Sequence, residues 1–209
     1  MIVMDEIRKR LAEFEAEELD VTGRRQAAVA LILRESDAGP EVLFIERARR
    51  EGDPWSGHMA FPGGRLEPHD PHIRATAERE TVEEVGLSLE GASHLGHLGD
   101  VLGNPRVETA LVISAHAYEV PREVPPLTLE QSEVADALWF PVADLHDPQR
   151  HVHFATPPLE RARFPGIEVG VPERQVVWGL TYRFLDIFLG ALGRPLPDRW
   201  GELRRMGDR

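Results

Sequence analysis

The chain has 209 residues, a formal net charge of −12, 42% hydrophobic and 29% charged residues, and no cysteine. These values describe one soluble domain with a substantial core. They exclude disulfides and thiolate metal sites, and the acidic balance excludes general binding to nucleic acid, whose phosphate backbone needs a basic surface. No apolar run reaches the roughly eighteen residues that span a bilayer, and the start Met1-Ile2-Val3-Met4-Asp5-Glu6 lacks the basic flank and apolar stretch of a secretory signal. The expected location is therefore the cytoplasm, with no membrane partner.

In chain order, residues 4–19 read as an acidic amphipathic helix, with Met4, Ile7, Leu11 and Phe14 at spacings of three and four. Residues 27–33 are a buried strand and 42–45 a second one, joined by the turn Asp37-Ala38-Gly39-Pro40. A polar loop over 47–56 leads to a glycine turn and a helix over 70–85. Strands are expected over 94–102 and 107–120, separated by the turn Gly103-Asn104-Pro105, and a short one over 137–140, ended by Pro141. Residues 175–192 read as an apolar helix with Trp178, Thr181, Leu185, Phe188 and Leu192 on one stripe. The organisation is an N-terminal helix packed on the domain (1–22), a central domain (23–193) and a charged tail (194–209). Strands and helices mix without regular alternation, which predicts an α/β fold whose mixed sheet carries helices on both sides. The N-terminal and C-terminal helices both offer surfaces for a homodimer.

The helix over 70–85 carries the chemistry. Asp70 stands at the expected N-cap, Pro71 at the first helical position and Gly86 at the left-handed stop. Glu80 and Glu84 fall roughly 40° apart around the helix, and Glu83 roughly 60° to the other side of Glu80, so the three share a face about 100° wide. Val82 and Val85 are expected to point the opposite way, into a core. Like charges at this spacing destabilise a helix by a few tenths of a kcal/mol. Arg79 can pair with Glu83, which leaves Glu80 and Glu84 uncompensated. Hard oxygen ligands on one rigid face suit Mg²⁺ or Mn²⁺; a solvated acidic face is the blander alternative.

Read with the preceding Phe61-Pro62-Gly63-Gly64-Arg65, this segment resembles the Nudix box, GX5EX7REUXEEXGU with U apolar. Arg79-Glu80, Glu83-Glu84, Gly86 and Leu87 match its second half. The first half departs: Asp70 stands where a glutamate is usual, eight residues separate it from Arg79, and Thr81 fills an apolar position. The longer spacing, together with Ser56-Gly57-His58-Met59-Ala60 before it, is similar to the coenzyme A pyrophosphatase branch. Ala137-Leu138-Trp139-Phe140-Pro141-Val142 and Val177-Trp178-Gly179-Leu180-Thr181 also have counterparts in that branch, and the resemblance covers residues 26–192.

The resemblance implies a Nudix-type α/β/α sandwich with a glycine-loop–helix metal site, and hydrolysis of a nucleoside diphosphate linked to another group, coenzyme A or its acyl esters first. It implies Mg²⁺ or Mn²⁺ held by Glu80 and Glu84, with Glu83 a further ligand or base, and Arg79 orienting the carboxylates. Glu133 is a candidate for an extra ligand or base, with a plain loop carboxylate the alternative, and Asp70 is expected as a cap rather than a ligand. Gly63 and Gly64 would let backbone approach metal or phosphate; Arg47 would grip a phosphate or stand as a surface arginine, and His58 would line the pocket or serve the structure. Trp55 reads as a buried ring, with stacking on a base the alternative. His151 and His153 lack a third partner for zinc. Against the coenzyme A branch, Phe44-Ile45-Glu46-Arg47-Ala48 replaces its usual Leu-Leu-Thr-x-Arg-Ser, and Glu51-Gly52-Asp53-Pro54-Trp55 is acidic and longer. ADP-ribose, nucleotide sugars and dinucleoside polyphosphates therefore stay open as substrates. A non-catalytic nucleotide-binding module is disfavoured by the retention of all three box glutamates.

Overall fold

The run Ala27-Ala28-Val29-Ala30-Leu31-Ile32-Leu33 is apolar without alternation, as a strand covered on both faces requires. In the computed structural model, which describes residues 2–51, 55–103, 111–155 and 163–197, it forms the middle of β1 (Gln26–Ser36). A tight turn returns the chain as β2 (Gly39–Arg47), antiparallel to β1 through the pairs Leu33–Val42 to Ser36–Gly39. Beyond those pairs the two strands part. Into the fork come β3 (Met59–Ala60), paired with Ile45 and Glu46 of β2, and β4 (Gly63–Arg65), paired with Ala27, Ala28 and Val29 of β1. Between them Ala30 donates its N–H to the Pro62 carbonyl at 2.9 Å. The glycine loop is thus part of the sheet itself.

On the other side of β1 lies β6 (Val112–Glu119), in parallel, and outside it β5 (Ser93–Leu102), antiparallel; β7 (Val134–Pro141) flanks β2. The sheet is mixed and seven-stranded. A second, antiparallel sheet joins β8 (His151–Phe154), β9 (Phe164–Glu168) and β10 (Val176–Trp178). One face of the large sheet is covered by α2 (Ile73–Val85), whose Ala77 and Val85 pack with Ala28, Ala30, Ile32, Leu43 and Ile45. The opposite face holds α1 (Met4–Ala12) and α3 (Gly179–Ala191), with Ile7, Leu11, Phe184 and Phe188 against Leu31, Leu33, Val42 and Phe44. Each such buried side chain contributes about 1.5–3 kcal/mol. The expected helix-on-both-sides arrangement is what forms. No helix among the described residues is long and apolar enough to cross a membrane.

Several expectations change. The helix over 4–19 stops at Ala12. Glu13, Glu15, Glu17 and Glu18 would gather at its negative end, and the chain instead runs along β5, where the Asp100 carboxylate accepts from Leu19 N at 3.0 Å and Asp100 N donates to Glu17 O at 2.8 Å. The helix over 70–85 begins at Ile73. Its N-cap is His72, whose Nδ1 accepts from Ala75 N at 3.0 Å, and Asp70 and Pro71 precede the cap. Val82 is 47% exposed and only Val85 enters the core. Residues 176–178 are strand, not helix: two β-branched residues and a tryptophan pair with β9, and Gly179 at φ 64° makes the break into α3. The apolar faces of α3 pack mainly within the chain. The expected strand over 107–120 is seen from Val112, and residues 104–110 lie outside the described residues, as do 52–54 of the acidic loop and 198–209 of the tail. Residues 194–196 are docked: Arg194 N donates to Leu189 O at 2.8 Å and Leu196 is buried.

One polar band crosses the sheet. The register of β5 against β6 shifts at Gly96 and at Gly99, both at positive φ, and each shift restores the pairing face, so His94, His97 and Asp100 stand opposite Tyr118, His116 and Ser114. His97 stacks on His116 with ring centres 4.9 Å apart, and His94 Nε2 lies 3.4 Å from His116 Nδ1. Burial, reinforced by the charges of His97 and His94, pushes the His116 imidazole down to about 3. The unfolded chain thus takes up a proton near pH 6.5 that the folded chain refuses until about pH 3, so the contribution of His116 to stability is full above pH 6.5 and falls as the pH drops through that window. Compared with His116→Phe in urea at pH 7, 6 and 5, the unaltered protein should lose stability relative to the variant as the pH falls, by up to about 1.4 kcal/mol per pH unit; an unchanged difference would show that the band titrates no differently on folding.

Candidate active site

Phe61-Pro62-Gly63-Gly64-Arg65 enters the fork between β1 and β2 at van der Waals limits. A Cβ at Gly63, whose φ is 154°, would run into the Ala28 carbonyl and the backbone of Val29, and one at Gly64 would occupy the place of the Glu80 carboxylate. Both glycines are therefore demanded by close approach, the first to β1 and the second to α2. Gly63 N donates to Glu84 Oε2 at 2.9 Å.

The three box glutamates divide. The Glu80 side chain is 13% exposed and Glu84 is 3% exposed, both turned toward the glycine loop, whereas the Glu83 side chain is 54% exposed. The third carboxylate beside Glu80 and Glu84 comes from a distant segment. Gly86, left-handed at φ 67°, ends α2 against Thr128; Thr128 N then donates to Val85 O and Glu130 N to Glu84 O, at 2.9 and 3.0 Å. This docking brings Glu133 round, with Ala48 N donating to its carbonyl at 2.7 Å. One carboxylate oxygen from each of Glu80, Glu84 and Glu133 lies within 4.8 Å of the others, the only such group of three among the described residues.

Arg79 sets the angle of this arrangement. Its Nε and Nη2 donate to the two oxygens of Asp70 at 3.0 and 3.1 Å, Nη1 to Glu80 Oε1 at 3.0 Å and Glu83 Oε2 at 2.7 Å, and Nη2 to Arg65 O at 3.1 Å. Asp70, with an almost fully buried side chain, also accepts from Thr76 Oγ1 and Glu67 N at 2.9 Å each. Hydrogen bonds from Arg79 hold the Asp70 carboxyl well below the usual carboxylate range. That partnership explains why Asp70 is no cap: a charged fork offers more than a helix N–H. Removing one partner of such a pair would cost about 3–5 kcal/mol.

Electrostatically the cluster is frustrated. Burial raises Glu80, an effect opposed by Arg79. Burial also pushes Glu84 up to about 8; the Gly63 N–H and the Arg47 charge pull the other way, and the charges of Glu80 and Glu133 add to the rise. Two desolvated carboxylates and a third beside them form a hard-oxygen set that a divalent cation relieves, and the donor chemistry fits Mg²⁺ or Mn²⁺.

Of the residues singled out from sequence, Glu80, Glu84, Glu133, Gly63, Gly64 and Arg79 converge, and Arg47 closes the group from the end of β2. Glu83 lies at the rim. His58 is turned into an aromatic cluster, 5.0 Å from the Trp178 ring and 6.3 Å from Phe154, while its carbonyl accepts from Arg47 N at 3.0 Å. Trp55, at 49% exposed, is not the buried ring expected. Sequence reasoning did not find the Asp70–Arg79 pair, although both residues lay inside the recognised segment. It also missed Arg50, which donates to Ser132 O at 2.8 Å and Glu133 Oε1 at 3.1 Å and ties the two loops together.

The family model of the NUDIX domain matches residues 23–162. Among curated relatives, an uncharacterised protein of Schizosaccharomyces pombe is 42% identical over 114 residues, 53% of this chain, which spans about a third (34%) of that protein's length. The human mitochondrial coenzyme A diphosphatase NUDT8 is 31% identical over 168 residues, covering 79% of this chain and 69% of that one. The crystal structure of a Nudix hydrolase from Alicyclobacillus acidocaldarius superposes with a TM-score of 0.50 at 21% identity, over 58% of this chain and 81% of that one; it shares the fold.

Because Glu84 is raised on folding from 4.5 to about 8, its contribution to stability is full below pH 4.5 and is lost as the pH rises through about 8. In EDTA at pH 8, Glu84→Gln should therefore unfold at higher temperature than the unaltered protein, by on the order of 2 kcal/mol. It should also lose any stabilisation that an added divalent metal produces in the unaltered protein. Gly64→Ala, which displaces the Glu80 carboxylate, should lose that metal-induced shift as well, while its stability without metal changes little, because what moves is the end of a side chain. Thermal melts with and without metal check both; a metal shift that survives in either variant would remove the carboxylate cluster as the binding site.

Proposed function

The chain belongs to the Nudix family of hydrolases, and we propose that it cleaves the diphosphate linkage of coenzyme A or its acyl derivatives with the help of Mg²⁺ or Mn²⁺. The observation that carries the hydrolytic reading is the convergence of Glu80, Glu84 and Glu133 beside a glycine backbone, with oxygens within 4.8 Å of one another. Similarity to the human coenzyme A diphosphatase supports the choice of substrate.

On this reading Glu80, Glu84 and Glu133 hold the metal. A divalent ion supplies charge neutralisation at the diphosphate and makes water a stronger acid. The chain's own residues do the rest. Arg79, fixed by Asp70, keeps Glu80 and Glu83 at a set angle and spends no motion during the reaction. Gly63 and Gly64 let the loop backbone lie against β1 and the Glu80 carboxylate, which keeps Glu80 and Glu84 together. Arg47, whose charge already acts on Glu84, meets a phosphate from the β2 side. Glu83, exposed at the rim, takes the proton of the attacking water. The water oxygen joins one phosphorus, the bridging P–O bond breaks toward the other, and adenosine 3′,5′-bisphosphate and phosphopantetheine leave.

A second reading, hydrolysis of ADP-ribose, a nucleotide sugar or a dinucleoside polyphosphate, is favoured by Glu51 and Glu173 in the wall of the neighbouring cavity, which lower its attraction for a further phosphate. Mass spectrometry of products from a panel of these compounds and coenzyme A, with either metal, separates the two. Phosphopantetheine from coenzyme A is expected, with kcat reduced at least a hundredfold in Glu80→Gln and in Glu83→Gln. Turnover of only the other compounds would replace the coenzyme A reading, and full activity in both variants would end the hydrolytic one.

A further inference from the structure

Next to the carboxylate cluster lies an open cavity of about 580 Å³. Its floor comes from the segment after β2, its side from Phe154 of β8, and its rim from Glu173 and Arg174. It is joined to the cluster through Arg50, whose guanidinium spans from the cavity wall to Glu133. Arg50 therefore borders both the carboxylate cluster and the cavity.

The cavity has a flat apolar side and a charged side. On the apolar side His58 and Phe154 stand edge to face, 6.3 Å apart, both backed by Trp178 at 5.0 and 5.4 Å. Trp55, half exposed, leans on the same ring at 6.1 Å. Such a wall suits a planar heterocycle. On the charged side stand three arginines, and two are committed. Arg50 serves Glu133 and Ser132. Arg174 forks onto buried Glu46 at 2.9 and 2.8 Å, with Gln175 completing that carboxylate at 3.0 Å. Arg49 makes no hydrogen bond or ion pair with any described residue. It is not loose, because its side chain lies along Gly57: a Cβ there would be 3.5 Å from Arg49 Nε, and Gly57 takes φ 74°. A cation is thus laid along a glycine in a cavity beside the carboxylate cluster.

We propose that this cavity is the subsite for the nucleoside end of the substrate and that Arg49 selects for a phosphomonoester on its ribose. The purine lies against His58 and Phe154, and the phosphate meets Arg49. Glu51 and Glu173, also in the wall, limit the site to a single such group. This rests on the reading of the carboxylate cluster as the place where a nucleoside diphosphate is cut. It goes beyond that reading by naming which substrates of the class are preferred and which residue prefers them.

The test uses pairs that differ only in that phosphate. Values of kcat and KM are measured for coenzyme A against dephospho-coenzyme A and for NADPH against NADH, with the unaltered protein, Arg49→Ala and Arg49→Lys. The ratio of kcat/KM within a pair should favour the phosphorylated member. It should fall about tenfold in Arg49→Ala, chiefly through KM, and partly recover in Arg49→Lys. Equal losses for both members, or no change in the ratio, would overturn the assignment. In parallel, calorimetry compares adenosine 3′,5′-bisphosphate with adenosine 5′-monophosphate. Tighter binding of the bisphosphate that disappears in Arg49→Ala supports the subsite even where neither pair is hydrolysed, an outcome that would count against coenzyme A as the substrate and not against Arg49. Equal binding of the two nucleotides by the unaltered protein would overturn it.

Discussion

Carboxylates do not gather in a protein interior without something to hold them, and here the holding is done by backbone. Gly63 gives its N–H to Glu84, and Gly64 makes the room that Glu80 fills. Both glycines are in turn held because β4 is paired with β1 in the middle of the large sheet. The fork between β1 and β2 is thus the constraint from which the site follows. It places a side-chain-free backbone segment at the inner face of α2, and everything charged in the site is arranged around that gap. The same fork sets the end of β2, so Arg47 and the segment after it arrive beside the cluster rather than across the sheet from it.

The electrostatic design divides into a satisfied half and an unsatisfied half. Asp70, Arg79 and Glu83 form a chain of charge-assisted hydrogen bonds at the outer side of α2, closed by Thr76 and by the backbone of Glu67 and Arg65. Glu80 belongs to both halves. Glu84 belongs to the other, where burial and repulsion from Glu80 and Glu133 oppose its charge; Glu133 stands beside it, paired with Arg50. A rigid, satisfied frame beside strained carboxylates is what a cation site would require: the frame keeps them from relaxing apart, so that binding of an ion would release the strain.

Sequence and structure agree where the information is local. The glycine turn, the Glu80–Glu84 spacing and the Gly86 stop are read within 24 consecutive residues, and each has a one-to-one physical meaning. Hydrophobic runs likewise placed β1, β2 and β5 to within a few residues. What escaped depends on partners far along the chain. Glu133 could be anticipated only from resemblance, since its position comes from the docking of residues 128–130 on the end of α2. The start of α2 was misjudged because Asp-Pro reads as a cap until Arg79 is known to claim the aspartate. The His58–Phe154–Trp178 wall unites three segments that no periodicity connects, and β8 and β9 are too short to register as strands before they pair.

The path of residues 13–20 has a consequence for the protein's behaviour in company. Among the described residues β5 is the outermost strand on its side of the large sheet, and an outermost strand offers a row of unpaired peptide groups to any passing chain. Here Glu17 O takes the Asp100 N–H and the Asp100 side chain holds Leu19 N. Glu17 and Glu18 bring negative charge to the same border. The segment that failed to be helix thus works as a selvedge at Asp100: there the border of the sheet is bound by the chain's own backbone and fringed with charge.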